Sequence, residues 1–376
     1  MPGIYIHIPF CKQACNYCNF HFSTSPKLKD DFLVALNKEI ELRKAYLGQE
    51  KVNTIYFGGG TPSVLSANEI SSIIYQVSKF YEIDKEAEIT LEANPDDLSM
   101  DYLNGLSQTP INRLSIGVQS FHDKDLQFMN RVHSSKEAVS CIENAKKAGF
   151  DNINMDLIYG VQTLTDDCWK KNLEKFSELD VPHLSAYSLT VEPKTQLSHD
   201  IKKGLVKAVD DERPARHFEI LMNTLEDLGF IHYEISNFCK EGFISQHNSN
   251  YWKQKKYLGL GPSAHSYNGE SRQWNIANNA KYVSTFLSET RSCEPEHETL
   301  TTEQKYNEYI LTSLRTIWGI DTEKLQQEFG EEKFNNFIAG SHQYLDKNYL
   351  VEERGVYKLT RQGKLFADSI TADLFI

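Results

Sequence analysis

The sequence predicts an α/β protein: a partial (β/α)6 barrel followed by a small C-terminal winged-helix-like α+β domain. Two observations predict it. Over the first 235 or so residues, a short β-rich apolar run is followed by an amphipathic helical stretch about six times. After residue 295 the pattern changes to successive helices, a hairpin and a last helix.

The apolar runs are GIYIHI, VNTIYF, EITLEA, RLSIGV, NINMDLI and LSAYSL. Helical stretches such as DDFLVALNKEIELRKAYL and KEAVSCIENAKKAGF lie between them, and the second ends on Gly149, a natural helix stop. Ser66 with Glu69 reads as a capping box opening NEISSIIYQVSKFY. Six βα units make an incomplete barrel or an open sheet, since eight close a full one. Residues 236–295 break the rhythm with NFCKEGFISQHNSNYWKQKKYLGLGPSAHSYNG and are expected to form an irregular connecting region. That region should still be packed, because Tyr251, Trp252 and Tyr257 need burial. Residues 296–376 supply the helices EQKYNEYILTSLRTIWGI, DTEKLQQEFG and EKFNNFIAGSHQYLDKNYL, the hairpin LVEERGVYKLT and the closing helix RQGKLFADSITADLF.

Composition bounds the function. The chain has 376 residues, 40% hydrophobic and 11% aromatic, which suits a packed globular protein. Its net charge of −12 repels phosphate backbones and argues against a nucleic-acid partner. No run of about 18 uncharged apolar residues offers a membrane span. The opening MPGIYIHIPF lacks the basic flank and long apolar run of a signal peptide, so a cytoplasmic location is expected. Of seven cysteines, Cys141, Cys168, Cys239 and Cys293 are scattered singly and read as small hydrophobes.

Active sites of parallel βα folds gather at the C-terminal strand ends. There the chain carries polar or glycine-rich features that an apolar strand does not need. They are the cysteine loop CKQACNYC, then FGGGTPS, Glu92, Gln119 and Asp156. Glycines 58–60 could let backbone approach a ligand, and they could equally form only a tight turn. Cys11, Cys15 and Cys18 lack a nearby fourth cysteine. A zinc site would need His7 or His21 as well, and a C-x-x-C redox pair would leave Cys11 spare. Three thiolates on one loop suit a [4Fe–4S] cluster whose fourth iron is open to a small molecule.

C-x-x-x-C-x-x-C with Tyr17 before its last cysteine, paired with the glycine run, resembles the radical S-adenosylmethionine superfamily. The ordered set YIHIPFCKQACNYCNF, FGGGTPS, LEANPDD, RLSIGVQSF, LQFMNRVHS and NMDLIYGVQ further resembles the oxygen-independent coproporphyrinogen III oxidase family. The resemblance implies that Cys11, Cys15 and Cys18 ligate the cluster. It places Tyr5, Tyr17, Gly59, Gly60, Thr61 and Glu92 around S-adenosylmethionine. Gln119, Arg131 and Asp156 fall where the oxidase binds a second such molecule or its neighbouring groups.

Two departures point to a sister subgroup of heme chaperones, the HemW-type proteins. Phe20 stands where the oxidase has a further cysteine, and the first-strand tyrosine is already Tyr5, so the oxidase's N-terminal extension is expected to be absent. HNSNYW at 247–252 also fits that subgroup's H-N-x-x-Y-W signature. The likeness implies heme as a third ligand, with His247 a candidate for its iron and Tyr251 and Trp252 near the macrocycle. Without the likeness, a histidine beside aromatics reads as a packed structural residue. His133 and His265 rank below His247 as ligands, and GLGPSAHS at 259–266 reads as structural. The implied partner is a heme-accepting protein, a respiratory one among the options; homodimerisation stays open, and oxidase activity is the alternative reading.

Overall fold

The computed structural model describes residues 1–207, 212–288 and 295–376. The six apolar runs form β1 (Gly3–Ile8), β2 (Val52–Gly59), β3 (Ile83–Ala93), β4 (Arg113–Gln119), β5 (Ile153–Tyr159) and β6 (His183–Ser188). They pair in parallel in sequence order. β1, β4 and β5 are nearly continuously buried because helices cover one face and the site and its side chains fill the other. Ile4, Ile6, Phe57, Leu91, Ile116 and Leu157 belong to one core shared by strands and helices.

The helices begin where the chain supplies caps. Ser66–Glu69 forms the expected capping box, and Ser134–Glu137 forms another at helix Ser135–Lys147. That helix is followed by Gly149 at φ +94°. The first helix, Lys29–Leu42, is shorter than its sequence pattern. The Arg43 carbonyl accepts the Tyr81 hydroxyl, and Gly48, at φ +66°, turns the chain back.

Residues 236–288 are more regular than expected. β7 (Ile231–Glu234) and β8 (Asn237–Cys239) form a hairpin that joins antiparallel to β6. After helix Gln246–Trp252, β9 (Tyr257–Leu260) crosses to the opposite edge and pairs in parallel with β1. β10 (His265–Tyr267), β11 (Ser271–Trp274) and β12 (Glu296–Thr299) extend that edge. The stretch looked irregular because its strands are only three or four residues long, too short to show a period.

The C-terminal unit has its own core around Tyr306, Ile310, Leu325 and Phe337. Its order is helix Thr302–Leu314, β13 (Ile320–Asp321), helices Thr322–Phe329 and Glu331–Asp346, then the hairpin β14 (Leu350–Glu353) and β15 (Val356–Leu359). The three strands lie in the order β13-β15-β14, a winged-helix arrangement. The unit is tied to β7 by Ile235 N–H on the Arg315 carbonyl and Ile317 N–H on the Tyr233 carbonyl, both at 3.0 Å. Cys141 and Cys239 are buried and Cys168 half-buried, while Cys293 lies outside the described residues. Among the described residues, no helix is long and apolar enough to cross a membrane.

Candidate functional site

The C-terminal ends of the six parallel strands surround a cavity of about 520 Å³. Cys11, Cys15, Cys18, Tyr17, Gly59, Gly60, Thr61, Glu92, Gln119, Arg131 and Asp156 all line it. Tyr5 does not reach the cavity wall. It stacks at 6.2 Å on Tyr56, a lining residue, and so supports the floor from behind.

The glycine run brings the end of β2 against the cysteine loop. Gly60 donates to the Ile8 carbonyl at 2.9 Å and Thr61 to the Phe10 carbonyl at 2.7 Å. A Cβ on Gly60 would lie 2.7 Å from that Phe10 oxygen, so only glycine permits this approach. Gln119 sits at φ +66° as β4 turns into its loop, the sort of strain that functional sites retain.

The donor set fits an iron–sulfur cluster. Cys11, Cys15 and Cys18 are free thiols, half-buried at one wall. Thr61 Oγ1 donates to Cys11 Sγ and Arg131 Nη1 to Cys15 Sγ, each at 3.3 Å. Such donors stabilise the negative charge that thiolate-bound iron concentrates on sulfur. Arg131 is itself held by Nη2 bonds to Asn94 Oδ1 at 2.7 Å and the Gly117 carbonyl at 2.8 Å. Burial pushes the Cys11 thiol up to about 11 despite the Thr61 bond, so bound metal must displace its proton. Among the described residues, no three His, Cys, Asp or Glu side chains converge as a one-ion site requires. A cluster asks only one thiolate of each iron.

The opposite wall is acidic. Tyr56 donates to Glu92 Oε1 at 2.7 Å, and Asn154 and Ser115 donate to Asp156 at 2.7 and 3.4 Å. Burial raises Glu92 to about 7, with the Asp156 charge adding and the Tyr56 bond opposing. Burial likewise raises Asp156 to about 6 against its hydrogen bonds. Both folded values exceed the ordinary carboxylate range of about 4. The native state therefore holds more protons than the unfolded chain between roughly pH 4 and 7, and stability falls as pH rises through that window. Glu92→Gln should flatten this slope in urea melts of the cofactor-free protein; an unchanged slope would show that Glu92 does not carry it.

The heme candidates do not face this cavity. His247 is buried, with Nδ1 bonded to Thr54 Oγ1 at 2.8 Å and Nε2 to the Tyr251 hydroxyl at 3.0 Å. Its ring stacks on Tyr56 at 4.9 Å. Both ring nitrogens are engaged within the protein, so iron would have to displace the Thr54 or the Tyr251 hydroxyl to reach this imidazole. Tyr251 packs edge-on against Tyr257 at 4.6 Å, and Trp252 lies beneath Arg315 of the C-terminal unit at 5.5 Å. Of the motif, only Asn248 lines the cavity. His133 is buried, with Nε2 on the Val118 carbonyl.

Tyr56, Asn94, Ser115, Asn154, Ser185 and Tyr187 also line the cavity and were not singled out in the sequence. A period-two signal was present: Ser115 precedes Gly117 and Gln119, Asn154 precedes Asp156, and Ser185 precedes Tyr187. Each pair points inward from an otherwise apolar strand. Phe20 stands at the cavity mouth, 69% exposed.

Fold and cysteine loop together define a radical S-adenosylmethionine protein. The Radical SAM superfamily model matches residues 5–176 and the HemN C-terminal domain model residues 300–366. The chain is similar to the heme chaperone HemW of Bacillus subtilis, 34% identical over 98% of both chains. It is also similar to HemW of Mycobacterium tuberculosis, 32% identical over 99% of this chain and 94% of that one. A solved coproporphyrinogen III oxidase, HemN from Escherichia coli, shares the fold with a TM-score of 0.86. It is 22% identical, over 100% of this chain and 90% of that one. The chain belongs to the HemW family.

Proposed function

We propose that the protein is a heme chaperone that carries a [4Fe–4S] cluster and S-adenosylmethionine and passes heme to an acceptor protein. The observation that carries this reading is the likeness to HemW over 98% of both chains. Cys11, Cys15 and Cys18 hold the cluster, with Thr61 and Arg131 donating to its sulfur ligands. The cluster supplies an open iron for the amino acid moiety of S-adenosylmethionine. The half-buried Glu92 and Asp156 suit the remainder of that cationic molecule, whose positive charge offsets the desolvation both carboxylates carry. Gly59 and Gly60 open the floor to it, and Tyr17 closes the wall beside the cysteines. The acceptor is a protein partner, a respiratory one among the options.

The test is an anaerobic assay on reconstituted protein whose iron and sulfide are first measured. Coproporphyrinogen III, S-adenosylmethionine and a strong reductant are added and the tetrapyrroles separated. The expected result is no decarboxylated product, together with heme binding in a separate titration. Turnover to protoporphyrinogen IX would make the protein an oxidase and remove the chaperone reading.

A further inference from the structure

The structure leaves few histidines able to reach a ligand. The chain has 12. His7, His183, His217, His232 and His247 have both ring nitrogens engaged. His21, His122 and His133 each hold one nitrogen against a protein oxygen, which leaves the other for a metal, but the rings are half-buried or buried, so it is burial that sets them behind the exposed ones. Among the described residues, the rings of His199, His265, His297 and His342 accept and donate no hydrogen bond. All four are exposed. Of these, only His265 rests on an aromatic ring: it lies 5.9 Å from the indole of Trp274, interplanar angle 29°.

That pair is built into a rigid ribbon. His265 and Trp274 are directly opposed across β10 and β11, so both project from one face. Trp274 Nε1 donates to Glu296 Oε2 at 2.9 Å, which fixes the indole. Two residues further along the chain, Ile276 is 39% exposed. Below the ribbon, the fully buried Glu39 accepts from Gly261 N–H at 2.8 Å and from Asn275 Nδ2 at 2.6 Å. Ser266 Oγ accepts from Gly259 N–H at 3.0 Å. GLGPSAHS thus anchors an exposed imidazole beside a fixed apolar ring, on regular structure that holds its geometry.

We propose that His265 is the axial ligand of heme iron and that Trp274 and Ile276 form the apolar bed for the macrocycle. This rests on the heme-chaperone reading above. One ring nitrogen gives its lone pair to the iron while the other keeps its proton, so no further reactant is needed. Partial burial lowers the imidazole's proton affinity and keeps it neutral, the form that binds metal. The macrocycle is a large planar hydrophobe and covers indole and isoleucine that otherwise face water.

The test is titration of ferric heme into the full-length reconstituted protein, followed in the Soret region, with His265→Ala and His247→Ala. Wild type and His247→Ala should share one Soret spectrum. His265→Ala should bind at least about tenfold more weakly, the lower bound set even by losing an outer-shell partner of a metal ligand. Added imidazole should restore its spectrum. Circular dichroism checks that both variants fold; His265 is exposed, so its loss leaves the core intact. A wild-type-like titration of His265→Ala overturns the assignment, as does loss of the Soret band in folded His247→Ala alone. No heme binding by wild type overturns the chaperone reading itself and the ligand with it.

Discussion

Cys15→Ser should lower bound iron and acid-labile sulfide from about four of each per chain toward none, after anaerobic reconstitution. A serine hydroxyl keeps the shape of the thiol in a smaller atom, yet it is neither soft nor readily ionised, so one iron loses its ligand. The loop itself should survive. Its shape comes from backbone bonds: Cys11 N–H to the Ser23 carbonyl at 3.0 Å, Ser23 N–H to the Pro9 carbonyl at 2.9 Å, and Asn16 N–H to the Met129 carbonyl at 3.3 Å. Circular dichroism of the variant should therefore match wild type. Cys168→Ser, on helix Asp166–Glu178 and away from the cavity, should keep full iron and sulfide. Zinc without sulfide in the wild type would instead revive a single-ion site, and iron retained by Cys15→Ser would remove that residue from the ligand set.

What could be read in advance depends on how local the signal is. The parallel strands announce themselves because each contains a short run rich in apolar and β-branched or aromatic residues, and helical stretches separate them. The strand ends converge because parallel strands all end on one rim, so Cys11, Glu92, Gln119 and Asp156 meet without any one of them being diagnostic. The edges of the sheet were hidden for the opposite reason. β9 is four residues long and pairs with β1, more than 250 positions earlier in the chain. No local pattern encodes that partnership. His247 shows the same limit at one side chain. HNSNYW says that an imidazole lies near aromatics, and only the fold reveals that Thr54, 193 positions away, takes Nδ1. The partner that decides whether a histidine is available is a tertiary fact.

Glu39→Ala should destabilise the barrel by about 3–5 kcal/mol, the range for removing one partner from a buried charged network. Glu39 is fully buried on helix Lys29–Leu42 and has no solvent to meet its charge. It accepts from Gly261 N–H at 2.8 Å, Asn275 Nδ2 at 2.6 Å and the Tyr282 hydroxyl at 2.6 Å, with Arg43 at 4.0 Å. Alanine would strand these donors and leave a cavity among them. Asn275 loses least, since its Nδ2 also reaches the Gly261 carbonyl at 2.9 Å. Tyr282 and Gly261 have no such second acceptor among the described contacts. Glu39→Gln should cost less, because its amide oxygen still accepts from one or two of the same groups. The measurement is a urea melt of each variant by circular dichroism. A change within about 0.5 kcal/mol, the scatter of ordinary surface substitutions, would mean that water replaces the carboxylate at no cost. The same network holds Gly261 and Asn275, which flank the strands carrying His265 and Trp274. Glu39→Ala should therefore also weaken heme binding under conditions where the protein remains folded. Heme affinity equal to wild type in the folded Glu39→Ala protein would show that the exposed pair keeps its geometry without the buried anchor.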